Sequence, residues 1–293
     1  MQEHIPVLIK ETIEYLNPAP GENFIDCTLG YAGHAKKLLE KTSPSGKLLG
    51  IDQDESALSE AEATLSDFSD RLTLVKANFT ELGLIIRQFP TKEINGILID
   101  LGVSTPQLTG DRGFSFRVEA PLDMRMDPRA QRTTAADIVN KYSEKDLIKI
   151  LSELGEERYT KSIVNNILEA RSKNFIATTG ELVEIIRRST PPSYRHGKRL
   201  HFATNTFRAL RMAVNEELEN LKKVLPQAVQ VLSPGGRLAI ISFQSLEDRI
   251  VKNFFRDESR LEVITTKPIE ATETEIEENA PSRSAKLRVA RKR

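Results

Sequence analysis

Four short apolar runs occupy the first hundred residues, and helix-type patterns separate them. Residues 23–28 (NFIDCT), 47–52 (KLLGID), 71–77 and 96–101 (GILIDL) read as strands. Gly33–Lys41, 56–68 and 80–88 between them have helical spacing, with Ser56 as the N-cap of the second. Strands that are apolar throughout must be covered on both faces, and helical crossovers make them parallel. This alternation commits the chain to an α/β sheet before any chemically active residue is considered.

The rhythm stops at Gly102. From there to about residue 205 helical segments (143–152, 156–171 and 179–188 are the clearest) follow one another without a convincing strand. Residues 207–232 read as one long amphipathic helix, which Pro226 is expected to break or kink. A turn at Ser233-Pro-Gly-Gly236 then precedes a fifth strand, Arg237–Ser242, and a helix over 247–256. Residues 261–266 and 286–290 are candidate closing strands. The simplest organisation is a discontinuous α/β domain, 1–105 and 206–293, interrupted by a helical insertion over 106–205 that serves substrate recognition. No internal repeat is visible.

Composition narrows the setting. Cys27 is the single cysteine, so no internal disulfide framework exists and a reducing, cytoplasmic compartment is expected. Residues 1–10 lack a signal-peptide core, and no apolar run approaches the length of a membrane span. The 42 basic and 42 acidic residues cancel but are segregated. Residues 187–211 hold seven Lys or Arg (Arg187, Arg188, Arg195, Lys198, Arg199, Arg208, Arg211) and no acid, and 282–293 hold six basic residues and no acid. Glu270, Glu273, Glu275, Glu277 and Glu278 form an acidic cluster. Such segregation makes local fields suited to phosphate contacts, although solvated surface is the blander reading of each run.

Ligands bind open α/β sheets at the loops following the strands. The first loop, Asp26-Cys-Thr-Leu-Gly30-Tyr-Ala-Gly33-His34, is rich in small residues that admit close backbone approach. Asp52 ends the second strand 22 residues after Gly30, where a carboxylate accepts from both ribose hydroxyls. Asp100 ends the fourth. Counted from Gly30, the later glycines of a dinucleotide fingerprint fall on Ala32 and Ala35, so the fingerprint fails. A nucleoside cofactor without a pyrophosphate, S-adenosylmethionine, fits better than NAD. Asp26 and Asp54 read as structural. No Cys or His cluster has metal-ligand spacing, so no metal is expected.

Longer motifs are specific. His4-Ile-Pro-Val-Leu8, Asp26-Cys-Thr-Leu-Gly30, Asp100-Leu-Gly-Val-Ser-Thr-Pro-Gln-Leu108, Arg112-Gly-Phe-Ser-Phe116, Pro121-Leu-Asp-Met-Arg-Met-Asp127, Ala213-Val-Asn-Glu-Glu-Leu218, Ile241-Ser-Phe243, Ser245-Leu-Glu-Asp-Arg249 and Ser282-Arg-Ser-Ala-Lys-Leu-Arg288 span nearly the whole chain. Together they resemble the bacterial 16S rRNA (cytosine-N4)-methyltransferases of the MraW (RsmH) type. The resemblance implies a class I, Rossmann-like S-adenosylmethionine-dependent methyltransferase sheet with a helical insertion. It also implies N4-methylation of a cytidine in the decoding region of the small ribosomal subunit.

Carried over by motif, cofactor contacts fall on Ala32, Gly33, His34, Asp52, Phe79, Asp100 and Gln107. Phe79 and Gln107 rest on the resemblance alone. This chain departs from the family pattern at Ala32, usually Gly, where a positive φ would cost roughly 1 kcal/mol. It departs also at Gln244, usually His, at Phe202, Asn205 and Arg208, and at Ala280-Pro281.

Displacement of methyl from a sulfonium by a conjugated amine calls for positioning and for acceptors that hold the amino hydrogens. Asp100 and the backbone over 102–105 are the candidates, and the sequence leaves Asp100 open between a cofactor ligand and a proton acceptor. A base presented unpaired would stack on Phe114 and Phe116, flanked by Arg112 and Arg117, unless those rings are core. Arg195, Lys198 and Arg199 are candidate RNA contacts. The expected partner is 16S rRNA in the small subunit, with no membrane, and a homodimer is compatible with the sequence. Two other classes stay open: a nicotinamide-dependent oxidoreductase, and a non-catalytic RNA-binding or assembly protein on a methyltransferase fold.

Overall fold

The computed structural model describes residues 5–103, 107–108, 110–195 and 201–293. They divide into two compact units, one made of the chain up to Gly102 together with Leu218–Arg293, the other of Val103–Glu217.

In the first unit eight strands form one sheet. β1 (Phe24–Asp26), β2 (Leu48–Asp52), β3 (Leu72–Lys76), β4 (Gly96–Asp100) and β5 (Arg237–Ser242) run parallel, in the order β3-β2-β1-β4-β5. β8 (Lys286–Lys292) then pairs antiparallel with β5, β6 (Leu261–Val263) and β7 (Ile269–Glu270). The inner strands are buried almost throughout, whereas β3 at the edge is only half-buried. Alternate side chains build two cores. Ile25, Leu49, Ile97 and Ile240 face one way, and Phe24, Leu48, Leu98 and Ala239 the other. Helices cover both faces, as uniformly apolar parallel strands require.

α1 (Ile9–Leu16), α2 (Gly33–Lys41) and α3 (Glu55–Thr64) contribute Leu16, Ala35, Leu38, Leu39, Leu58 and Ala61 to one core. Asp54, not Ser56, caps α3: its Oδ1 accepts from Ser56 N–H at 3.1 Å. The helix expected over 80–88 is a single short α-turn, α4 (Leu82–Ile85), between two 3-10 turns. Neither α1 nor the two-residue β7 was expected.

The second unit is helical, and among its described residues the one β-bridge pairs Pro121 with Thr178. α5 (Ala135–Lys141) and α8 (Thr179–Ser189) open with full capping boxes, Thr134 with Asp137 and Thr178 with Glu181. Between them α6 (Glu144–Lys149) runs into a π-turn, and α7 (Thr160–Arg171) starts later than its periodicity suggests. α9 (Pro192–Arg195) is a single turn.

The long helix of 207–232 is two helices, α10 (Thr204–Val214) and α11 (Glu217–Val231), and the break is not at Pro226. Glu216 sits at φ 49°. Asn215 ends α10 with its side chain occupied: Nδ2 donates to Met124 O at 2.8 Å and Oδ1 accepts from Met126 N–H at 2.9 Å. These bonds tie the helix end to the 124–126 turn. Pro226 removes one N–H, but its neighbours Leu221, Val224, Leu225 and Val229 are buried in the sheet's core, which holds the helix through it. The second unit therefore extends to Glu217, twelve residues past the boundary at 205.

Candidate functional site

The strand order reverses between β1 and β4, because the chain builds outward from β1 on one side and from β4 on the other. The crevice beyond the strand C-termini at such a switch point is where open α/β sheets place ligands. The neighbouring strands β2, β1 and β4 all end there in aspartate: Asp52, Asp26 and Asp100. Glu247, 2% exposed, joins them from the first turn of α12 (Ser245–Asp257), where its Oε2 accepts from Phe243 and Gln244 N–H.

Burial pushes the Asp26 carboxyl up to about 7, with Asp52's charge adding to it against the Thr28 N–H. Burial also raises Asp52, opposed by the Asp54 and Gly30 N–H groups. Asp100 is held well above the carboxylate range by burial, then by the charges of Asp26 and Glu247. Its Oδ1 is buried with no hydrogen-bond partner.

The first loop wraps this cluster. Gly30 adopts φ 51° and donates its N–H to Asp52 Oδ2 at 2.8 Å, while Asp54 N–H binds Oδ1 at 2.9 Å. Thr28 Oγ1 accepts from Asp100 N–H at 2.6 Å. Gly33 begins α2 against Pro6, where a Cβ would lie 2.3 Å from the proline Cγ, so only glycine fits. His34, 6% exposed, places Nε2 3.0 Å from Val7 O and Nδ1 3.9 Å from Asp100 Oδ2.

Ala32 has φ 63° and is fully buried. The left-handed backbone costs an alanine roughly 1 kcal/mol. Glycine would relieve that, but would lose a buried methyl worth about 0.8 kcal/mol and loosen the unfolded chain by about 0.4–1 kcal/mol. The terms nearly cancel. Ala32→Gly is expected to move the melting temperature by no more than about 3 °C, checked by calorimetry.

A cluster of carboxylates, Asp26 and Glu247 buried and Asp52 and Asp100 half-buried, with the Asp100 Oδ1 unpartnered, suits a ligand carrying positive charge. S-adenosylmethionine has both a sulfonium and an ammonium, so these residues fit it. A pyrophosphate would meet like charge there. Among the described residues no group of His, Cys, Asp and Glu is arranged to hold a metal ion.

The structure thus gathers Ala32, Gly33, His34, Asp52 and Asp100 at the C-terminal ends of β1, β2 and β4, and Phe79 follows β3 half-buried against the core. Gln107 belongs to the second unit. Thr28 and Glu247 were missed, and Asp26 was read as structural. Glu247 lies within the Ser245-Leu-Glu-Asp-Arg249 motif and three residues after Gln244, a capping-box spacing.

The expected RNA residues divide. Phe114 is 5% exposed within the second unit's core, which replaces the stacking role expected of it. Arg112 Nη1 donates to Met126 O at 3.1 Å and its guanidinium lies over the Phe114 ring, so it braces its own loop. Phe116 is half-buried and stacks on His201 at 4.3 Å. Arg195 donates to Arg187 O at 3.2 Å, and Lys198 and Arg199 lie outside the described residues.

The 187–211 run does not lack local partners, because its acids stand just outside it. Arg187 and Arg188 both bind Glu184, and Arg211 binds Glu217 at 2.8 Å. The C-terminal basic run is a sheet strand whose Arg288 and Arg291 pair with Asp248 and Glu262.

The sequence profile of the MraW methylase family matches residues 1–293. A protein of Heliobacterium mobile named Ribosomal RNA small subunit methyltransferase H is 46% identical over 309 residues, covering 99% of this chain and 98% of that one. Proteins of the same name from Persephonella marina and a Sulfurihydrogenibium species are each 48% identical over 295 residues, with 100% of both chains covered. Agreement of this extent from end to end shows that the chain belongs to the MraW methylase family.

Proposed function

We propose that this chain transfers the methyl group of S-adenosylmethionine to the exocyclic N4 of a cytidine in the decoding region of 16S rRNA, within the small ribosomal subunit. The full-length family match carries the reading, together with relatives named for small-subunit ribosomal RNA methylation. The acidic crevice at the β1/β4 switch point supports it. S-adenosylmethionine is the methyl donor, and its sulfonium supplies the leaving group.

The chain's part in this reading is to bind, orient and take up charge. Asp52 binds the ribose while its own loop bonds hold it in place. Gly30, Ala32 and Gly33 bring backbone close to the nucleoside. Asp100, through Oδ1, accepts from an amino group, either the donor's ammonium or the cytosine N4, which must lose a proton as the nitrogen–carbon bond forms. A carboxyl whose affinity for protons is raised is suited to that acceptance. Phe116 and Arg195, with Lys198 and Arg199, are the proposed RNA contacts. The setting is the cytoplasm; no helix among the described residues is long and apolar enough to cross a membrane.

Purified chain, labelled donor and isolated small subunits test the reading directly. Mass spectrometry of the digested RNA is expected to show one methyl gained on cytosine N4. Methyl at carbon 5, on adenine or only on protein overturns the substrate. Donor binding without any transfer favours the non-catalytic assembly protein instead.

A further inference from the structure

Near the C-terminus the acidic cluster forms α13 (Glu273–Glu278), N-capped by Thr272, whose hydroxyl accepts from Glu275 N–H at 3.2 Å. Cofactor chemistry and RNA contact leave this helix without a role. Its polar groups nevertheless grip the opposite end of the chain. Glu275 Oε1 accepts from Leu8 N–H at 2.7 Å, and Asn279 Nδ2 donates to Ile5 O at 3.0 Å.

The segment held between these bonds backs the first loop. Pro6 packs on Gly33 closely enough to exclude a Cβ there. Val7 O meets His34 Nε2 at 3.0 Å. A carbonyl only accepts, so Nε2 carries the proton and fixes the ring's orientation, leaving Nδ1 toward Asp100. Leu8 itself is strained: it is fully buried at φ 50°, ψ 34°, a left-handed conformation rare for a branched side chain. Such a residue persists only where its surroundings over-determine it, and strain of this kind concentrates at functional sites. Glu275 binds the strained residue's own N–H with a charged acceptor, the stronger class of hydrogen bond.

We propose that Glu275 is a positioning residue for the cofactor loop. It holds Leu8, so that the Val7 carbonyl orients His34 toward Asp100, and Asn279 is a second tie on the same segment. The proposal rests on the reading of the first loop and Asp100 as the donor site.

The test measures S-adenosylmethionine and S-adenosylhomocysteine affinity by calorimetry, and the His34 imidazole by nitrogen NMR, in the full chain. Glu275→Ala is expected to weaken both ligands about tenfold, the worth of one charge-assisted hydrogen bond. It should also shift the His34 Nε2 signal in the unliganded protein and raise KM for the donor but not for the ribosomal subunit. Glu275→Gln, whose amide oxygen still accepts, should restore affinity and signal. Asn279→Ala should act in the same direction with smaller size, which keeps the test open if Glu275→Ala does not fold. A lower melting temperature with unchanged affinity and an unmoved His34 signal overturns the proposal. Asp100→Asn, measured alongside, separates the two readings. Unchanged donor affinity there fails the site, whereas weakened affinity there with none in the Glu275 and Asn279 variants fails only the positioning role.

Discussion

Asp52→Ala is expected to weaken S-adenosylmethionine binding by at least about 2 kcal/mol, roughly thirtyfold, because hydrogen bonds to a charged group contribute about 1.5–3 kcal/mol each. Two effects add. In the proposed donor site the carboxylate would accept from the ribose hydroxyls. It also accepts from Gly30 and Asp54 N–H at 2.8 and 2.9 Å, which sets the shape of the glycine-bearing loop. Alanine removes the ligand bonds and frees the loop at once. Asp52→Asn keeps one good acceptor and places donors where the loop presents N–H groups, so it should fall between wild type and alanine. Calorimetry with S-adenosylmethionine, S-adenosylhomocysteine and adenosine checks this, and all three should weaken together because all carry the ribose. A folded Asp52→Ala protein with unchanged affinity removes Asp52 from the site.

Asp52 is also the clearest case of what the sequence discloses. A strand ending in an acid, 22 residues past a small-residue loop, is visible without coordinates, because strand, loop and acid are close in sequence. Asp100 is legible for the same reason. The cluster is not: Asp26 reads as a structural turn residue until β1 is seen to lie between β2 and β4. Only the strand order places three carboxylates side by side and adds Glu247 from a helix nearly 150 residues away from Asp100. Helix boundaries failed where tertiary bonds outweighed local preference. Pro226 looked like the break, yet Asn215 ends α10 by bonding to Met124 and Met126, about ninety residues earlier in the chain. Charge runs misled through windowing: an acid-free stretch from Arg187 lies three residues after Glu184, which pairs with two of its arginines.

The same cluster is expected to give donor binding a pH dependence of defined sign. In the folded protein Asp26 faces Asp52 and the Thr28 N–H, and Asp100 faces Asp26, Glu247 and His34. Burial and mutual repulsion raise these carboxyls, Asp26 to about 7 from 3.8. Between those two values the folded chain holds a proton that the unfolded chain has released. Stability from this group is therefore fully present below about pH 4 and declines as pH rises to about 7, by an amount on the order of 4 kcal/mol for a shift of this size. A cationic ligand reverses the preference by stabilising the ionised carboxylates. S-adenosylmethionine should therefore bind with proton release, its affinity rising by up to about tenfold per pH unit below pH 7 for one proton released. Titrations in buffers of different ionisation enthalpy measure that release directly. The rise in melting temperature on adding the donor should be larger at pH 8 than at pH 6. S-adenosylhomocysteine, which lacks the sulfonium charge, should show the weaker dependence. Asp26→Asn keeps an acceptor for the Thr28 N–H but removes one charge, so it should stabilise the unliganded chain at pH 8 and flatten the affinity profile. Affinity independent of pH between 6 and 8, with no buffer-dependent heat, would mean that the donor's charge does not meet this cluster.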